Sequence, residues 1–285
     1  MKMRNIITSL IIILLCSHNI IAQAVYTQQD SLQIEDILQQ KNREPMGNSI
    51  CNIATMFIGT PYVAGTLDKE SCERLTINTR QFDCTTFVET TVALALTASQ
   101  KGGFSDFCNN LQSIRYRNSQ CNSYSDRLHY ISQWVDENSK KGVVKEIITT
   151  SHTATQKLNL SFMSSHPNSY SQLKDNPKAI KEISTYEAPY RNIELKYIPK
   201  HLLNRPQTSL DIEDGDILAI VTGIKGLDVT HVGFAKWING KLHLIHASSG
   251  KGKVILDSAT LFNYMKSKKN NLGIRVIRVK NIPLR

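Results

Sequence analysis

Three things are missing from this sequence, and each removes a class of function. No two cysteines stand in a C-x-x-C or other compact ligand pattern, so no structural metal is expected. Beyond the first two dozen residues no apolar run is long enough to cross a bilayer, so no transmembrane segment is expected. No zinc finger, helix-turn-helix or aromatic-and-arginine strand motif accompanies the net charge of +10, so no nucleic-acid partner is expected.

What is present fits a soluble globular chain, with 41% hydrophobic and 20% charged residues. Residues 1–24 stand apart: Lys2 and Arg4 precede the apolar run Ile6 to Cys16, and Ala22-Gln23-Ala24 has the form of an A-x-A cleavage site. An exported protein is expected, periplasmic or in the cell envelope and cleaved after Ala24. A lipoprotein built on Cys16 is the lesser alternative, because Leu15 stands where a small residue is wanted. Loss of Lys2 and Arg4 lowers the net charge from +10 to +8. A basic exported chain suits acidic envelope polymers, although charge that only maintains solubility gives the same composition.

Five cysteines then remain: Cys51, Cys72, Cys84, Cys108 and Cys121. In an oxidising compartment an odd count leaves one thiol over. Pairing Cys51 with Cys72 and Cys108 with Cys121 would leave Cys84 free, but spacing alone does not decide a pairing.

Cys84 is placed where a polar loop becomes an apolar-periodic helix. Cys84, Phe87, Val88, Thr91, Val92 and Ala95 recur at three- and four-residue spacing, which predicts one apolar stripe along a helix to about Gln100, with Asp83 as N-cap. A cysteine in a first helical turn lies among unpaired N–H groups at the positive end of the helix dipole, which favours the thiolate. The same stretch also fits a small core residue.

Around it, Val25 to Arg43 predicts a surface helix within an N-terminal extension (25–48), and Ile50 to Ile58 predicts a second helix broken by Gly59-Thr60-Pro61-Tyr62. Leu75 to Asn78 reads as a short strand, Tyr124 to Val135 as a helix and Val143 to Ile148 as a β-branched run. Residues 149–210, polar at first, read as an inserted lid-like segment over the core. The last third is β-rich. Asn239-Gly240 is a two-residue hairpin turn, so partners on its strands sum to 479. His231 then lies opposite Ser248 and Gly233 opposite His246, all four on one face, with the two histidines diagonal neighbours. His243 faces the other way.

A thiol at a helix start and two histidines on one strand face form a Cys-His-polar constellation: Cys84 as nucleophile, His231 as general base then acid, His246 as the orienting group, with Ser248 as the alternative orienter. The Cys84 backbone N–H is the natural oxyanion donor, and the Tyr62 hydroxyl a second.

These residues resemble the NlpC-type papain-like cysteine hydrolases of bacterial cell walls. Asp83-Cys84-Thr85-Thr86-Phe87-Val88 is similar to the nucleophile motif, Gly59-Thr60-Pro61-Tyr62 to the upstream tyrosine loop, and Thr230-His231-Val232-Gly233 to the base motif. Thr86 departs from the usual glycine, and the stretch between Cys84 and His231 is long. Phe82 to Leu96, Arg127-Leu128-His129-Tyr130 with Trp134, Phe162 to Pro167 with Tyr170, and His246-Ala247-Ser248-Ser249 resemble the N-acetylmuramoyl-L-alanine amidase-like branch over most of residues 45–280.

The resemblance implies a single α+β domain over residues 25–285, an antiparallel sheet packed on the nucleophile helix, with no metal or organic cofactor; a monomer is expected. It implies hydrolysis of the amide between N-acetylmuramic acid and L-alanine, in peptidoglycan or muropeptide fragments. The alternatives are a γ-D-glutamyl-diaminopimelate endopeptidase, an acyltransferase using the same triad, and a binding module with a dead site. Arg127, His129, His166 and Tyr170 are candidate substrate contacts, each of which also fits a structural role: Arg127 as an ion-pair partner, His129 as a packed residue, His166 and Tyr170 as lid anchors.

Overall fold

The computed structural model of the protein describes residues 24–40, 44–68, 72–148 and 153–281. The expected signal segment up to residue 23, Cys16 included, and residues 149–152 lie outside the described residues.

Two helices open the described chain, α1 (Gln28–Gln39) and α2 (Met46–Met56). Thr27 and Asp30 cap α1 reciprocally. The wholly buried Asp30 carboxylate also accepts hydrogen bonds from the backbone and hydroxyl of Thr79 (2.8 and 3.0 Å) and from Arg80 Nε (3.2 Å). These bonds hold its pKa below the usual aspartate value despite burial. The extension therefore anchors the loop that delivers Cys84. Within that loop Leu75 to Asn78 forms no full strand, only a bridge between Thr76 and Val25.

Helix α3 (Cys84–Ser99) is the centre of the molecule. Its apolar positions do not form one stripe, because Thr86 through Thr97 are all buried. The sheet covers one side, while α1, α2 and α4 (Phe104–Arg115) cover the rest. A helix enclosed on all sides must satisfy its polar groups internally. Glu89 meets Arg115 of α4 at 2.6 Å, with side chains 3% and 1% exposed. Replacing Glu89 with Ala strands a buried guanidinium, and is expected to cost about 3–5 kcal/mol. Urea unfolding checks this; the pair is dispensable if the single variant loses under about 1 kcal/mol.

Arg115 is followed by a 3-10 turn at 124–126 and an extended segment, so helix α5 starts only at Ile131 and runs to Lys140. The earlier start predicted at Tyr124 fails because Leu128 N–H bonds back to Arg115 O (3.0 Å) and the Ser123 N–H donates to the Asp126 carboxylate (3.0 Å).

Among the described residues eight strands form one antiparallel sheet: β1 (Val144–Ile147), β2 (Ala154–Asn159), β3 (Arg191–Pro199), β4 (Ile217–Thr222), β5 (Val229–Ile238), β6 (Lys241–Ser248), β7 (Lys253–Leu256) and β8 (Asn271–Val279). Their order is β2-β3-β8-β4-β5-β6-β7, and β1 shares the β8 edge with β3. Ala219, Val232, Phe234, Ile245 and Ala247 face the helices. Leu218, Ile220, Leu244 and Ile274 face the other way, under Leu261 and Met265 of α8 (Leu261–Lys266).

The segment read as inserted is itself structured. It holds β2, the short turn α6 (Phe162–Ser165), α7 (Pro177–Glu187) and β3, built on a core of its own that includes Leu158, Leu160, Met163, Leu173, Ile183 and Leu195. Through β3 it continues the central sheet. No helix among the described residues is long and apolar enough to cross a membrane.

Candidate active site

Asp83 caps α3 as its position predicts: its carboxylate accepts the Thr86 N–H (2.8 Å), and Thr86 Oγ1 accepts the Asp83 N–H (3.0 Å). Threonine at the expected glycine position thus completes a capping box. Cys84 is the first helical residue and half-buried. The Val232 backbone and the Thr85 hydroxyl both act on its sulfur in favour of the thiolate.

Those contacts do not produce a low-pKa thiol. Burial, with the Asp83 carboxylate adding to it, pushes the Cys84 thiol up to about 11, the reverse of the helix-dipole expectation. The dipole acts on a sulfur that has lost its water, and desolvation is the larger effect. Alkylation of Cys84 by iodoacetamide should therefore be slow at pH 7 and rise about tenfold per pH unit toward pH 10, with exposed Cys72 as reference. Peptide mapping reads it, and a plateau below pH 8 would contradict it.

The hairpin follows the arithmetic of its turn. Asn239 and Gly240 have φ of 50° and 72°, and Ile238 pairs with Lys241 and Phe234 with Ile245. The ladder stops there, so His231 and Ser248 are not backbone partners; Ser248 pairs instead with Lys253 of β7. A register shift against β4 leaves Thr230 unpaired just before His231. Gly233 is obligatory: a Cβ there would lie 2.7 Å from Ile245 O and 2.8 Å from His246 Cβ.

The two histidines meet, His231 Nε2 lying 2.6 Å from His246 Nδ1 with the rings edge-on. His246 is wholly buried and His231 half-buried. Desolvation holds both neutral, lowering His231 to about 3 and His246 to about 4. Tyr264 of α8 packs against both rings, and Asp257 Oδ2 lies 3.6 Å from His246 Nε2. Neither Asp257 nor Tyr264 was foreseen from the sequence, since α8 and β7 were not read there. A cavity of about 370 Å³ opens beside His231, lined by Thr230, Ser249, Tyr264, Lys268 and Asn270.

The thiol reaches β5 at the Val232 backbone, one residue from His231, but among the described residues no hydrogen bond joins Cys84 to His231. Tyr62 is brought close: it bridges to Phe82, and the Cys84 and Asp83 charges help burial raise its pKa.

The other sequence candidates have different occupations. Arg127 gives its fork to Glu73 (2.7 Å), Asp68 (2.7 Å) and Leu67 O (3.2 Å), which already supply the carboxylates expected from a substrate. His129 bonds Tyr124 O (2.8 Å) and lies tilted against the Tyr124 ring, and burial lowers it to about 3. His166 is exposed, bonded to Phe162 O and stacked on Phe162. Tyr170 packs on the core of the inserted segment. Ser248 Oγ accepts the Lys251 N–H (3.3 Å) within the β6–β7 turn, not an imidazole.

All five described cysteines are free, so neither sequence-local pair forms a disulfide; Cys51 and Cys108 are buried on separate helices. Among the described residues no group of three His, Cys, Asp or Glu side chains could hold a metal ion.

The family model for AmiA-like, N-acetylmuramoyl-L-alanine amidase-like proteins matches residues 52–274. The chain belongs to this AmiA-like family. An N-acetylmuramoyl-L-alanine amidase from Bacteroides uniformis is similar in structure (TM-score 0.78, 38% identity, covering 82% of this chain and 99% of that one). So is a Bacteroides fragilis protein described as a xylanase (TM-score 0.76, 41% identity, 80% and 100%). A Legionella pneumophila protein is more distant (TM-score 0.68, 26% identity, 88% and 94%). No curated protein matches the chain. The matched region of this AmiA-like chain contains Cys84, His231, His246 and Asp257, and leaves α1 outside it.

Proposed function

We propose that the protein is an exported, NlpC-type papain-like cysteine amidase that hydrolyses the N-acetylmuramoyl-L-alanine bond of peptidoglycan or its muropeptide fragments. The observation that carries this is the 2.6 Å His231–His246 pair, with His231 next along β5 to Val232, whose backbone acts on the Cys84 sulfur. Thiol and imidazole are both neutral at rest, so His231 takes the thiol proton as Cys84 attacks the lactyl carbonyl, not before. The tetrahedral oxyanion meets the Cys84 N–H and the Tyr62 hydroxyl. His231 then gives its proton to the departing alanine nitrogen, leaving a thioester on Cys84. Water activated by His231 releases the muramyl acid and restores the thiol.

The xylanase description of one structural neighbour finds no support in this site. Glycoside hydrolysis uses two carboxylates flanking the bond. Here Asp83 caps a helix and Asp257 stands behind His246, so neither forms such a pair.

Incubating defined muropeptides with the protein and weighing the products tests the bond. Free N-acetylmuramic sugar with an intact peptide beginning at L-alanine is expected. A sugar-bearing dipeptide would replace the proposal with γ-D-glutamyl endopeptidase activity.

A further inference from the structure

We propose that Asp257 is a positioning residue that fixes the tautomers of both site histidines, leaving Nδ1 of His231 as the bare nitrogen that receives the thiol proton. The proposal rests on the cysteine-hydrolase reading above.

Asp257 is rigidly held: its N–H donates to Leu244 O (2.9 Å) and its backbone carbonyl meets His243 Nδ1 (3.0 Å). Its Oδ1 accepts the Ala259 N–H (2.9 Å), which turns Oδ2 toward His246 Nε2 at 3.6 Å. That nitrogen is buried and has no hydrogen-bond partner, so Asp257 Oδ2 is the acceptor within reach. A lone pair facing a carboxylate would be repelled, and a buried polar atom left without a partner is costly. Nε2 of His246 therefore carries its proton. A neutral imidazole has only one N–H, so His246 Nδ1 is an acceptor. At 2.6 Å from it, His231 Nε2 must be the donor. Nδ1 of His231 is then unprotonated. No proton moves along this chain; Asp257 decides where the two protons rest.

Asp257→Asn inverts the pattern while changing almost nothing else. Its carbonyl oxygen keeps the Ala259 N–H, which directs the new NH₂ at His246 Nε2. A donor now faces that nitrogen, so His246 moves its proton to Nδ1 and donates to His231 Nε2. His231 then carries its proton on Nδ1, where the base must be bare.

The experiment reads tautomers and turnover together. Long-range ¹H–¹⁵N spectra of the full chain, labelled at histidine and assigned by single histidine substitutions, should show N–H at Nε2 of both His231 and His246 in the wild type, and at Nδ1 of both in Asp257→Asn. In the variant kcat on a muropeptide should fall by about 10²–10⁴-fold, with KM within about twofold, as a tautomer block predicts and a loss of packing does not. A wild-type His231 protonated at Nδ1, or a variant within threefold of wild-type kcat, overturns the proposal. If Asp257→Asn does not fold, the wild-type spectrum decides alone. If the wild type cleaves no muropeptide, the functional reading falls, and the spectra still decide the role of Asp257.

Discussion

Cys84→Ala is expected to abolish muropeptide turnover, lowering kcat by at least about 10⁴-fold while the fold and substrate binding persist. The size of the effect follows from the role: without sulfur no thioester forms, and His231 alone has nothing to deprotonate. The fold should tolerate the change because Asp83, not Cys84, caps α3, and the cap bonds to Thr86 are untouched. Product mass and single-turnover kinetics measure it. Retained turnover would remove Cys84 as nucleophile, and binding without cleavage by the wild type would favour a binding module with a dead site. Cys84→Ser is a sharper variant. It keeps an attacking hydroxyl of far higher pKa beside a base that burial has already weakened, so it should be nearly as inactive.

Acid should unfold the protein steeply, because desolvation holds three histidines neutral. His129 and His231 are lowered to about 3 and His246 to about 4, in each case chiefly by desolvation. Their ordinary value, which the unfolded chain restores, is about 6.5. Folded pKa values below unfolded ones mean that the unfolded state binds more protons between pH 6.5 and 4. Stability is therefore whole above about pH 6.5 and falls as pH drops toward the folded values. The slope is about 1.4 kcal/mol per pH unit for each group, or roughly 4 kcal/mol per unit for the three together as an upper bound. Urea midpoints at pH 7, 6 and 5 test this. His129→Gln, which leaves the His231–His246 pair alone, should remove about a third of the slope. A midpoint independent of pH over that range would show that the imidazoles are not held neutral by burial.

The two results bear on one feature. Desolvation that weakens His231 as a base also raises the Cys84 thiol, so neither partner is charged before substrate arrives. In the proposed mechanism the charge separation is deferred to the attack itself, where the oxyanion donors and the pair with His246 would offset it. Opposing pKa shifts of this kind in one site are a mark of acid–base assignment.

How much of this was legible in the sequence depended on how far each interaction reaches along the chain. The start of α3 and its Asp83 cap depend on residues within three positions of each other. The β5–β6 register follows from one two-residue turn, so the meeting of His231 with His246 could be calculated before any coordinates. What failed were inferences across longer separations. Arg127 fits a substrate contact and an ion-pair partner equally well in the sequence, because Glu73, 54 residues earlier, gives no local sign of being its partner. The single apolar stripe on α3 missed Glu89, because Arg115 lies on another helix. The residues read as an inserted lid proved to extend the sheet through β3, since strand partners such as Ile198 and Ile274 carry no shared local pattern.

The sequence by itself determined the thiol at a helix start, the histidine pair and the kinship they carry, because spacing along one helix or one hairpin fixes which side chains share a face. Only the tertiary structure decided the state of those groups. Burial is a property of everything packed around an atom, so the raised thiol, the neutral imidazoles, the filled fork of Arg127 and the carboxylate of Asp257 behind His246 emerged only with the assembled fold.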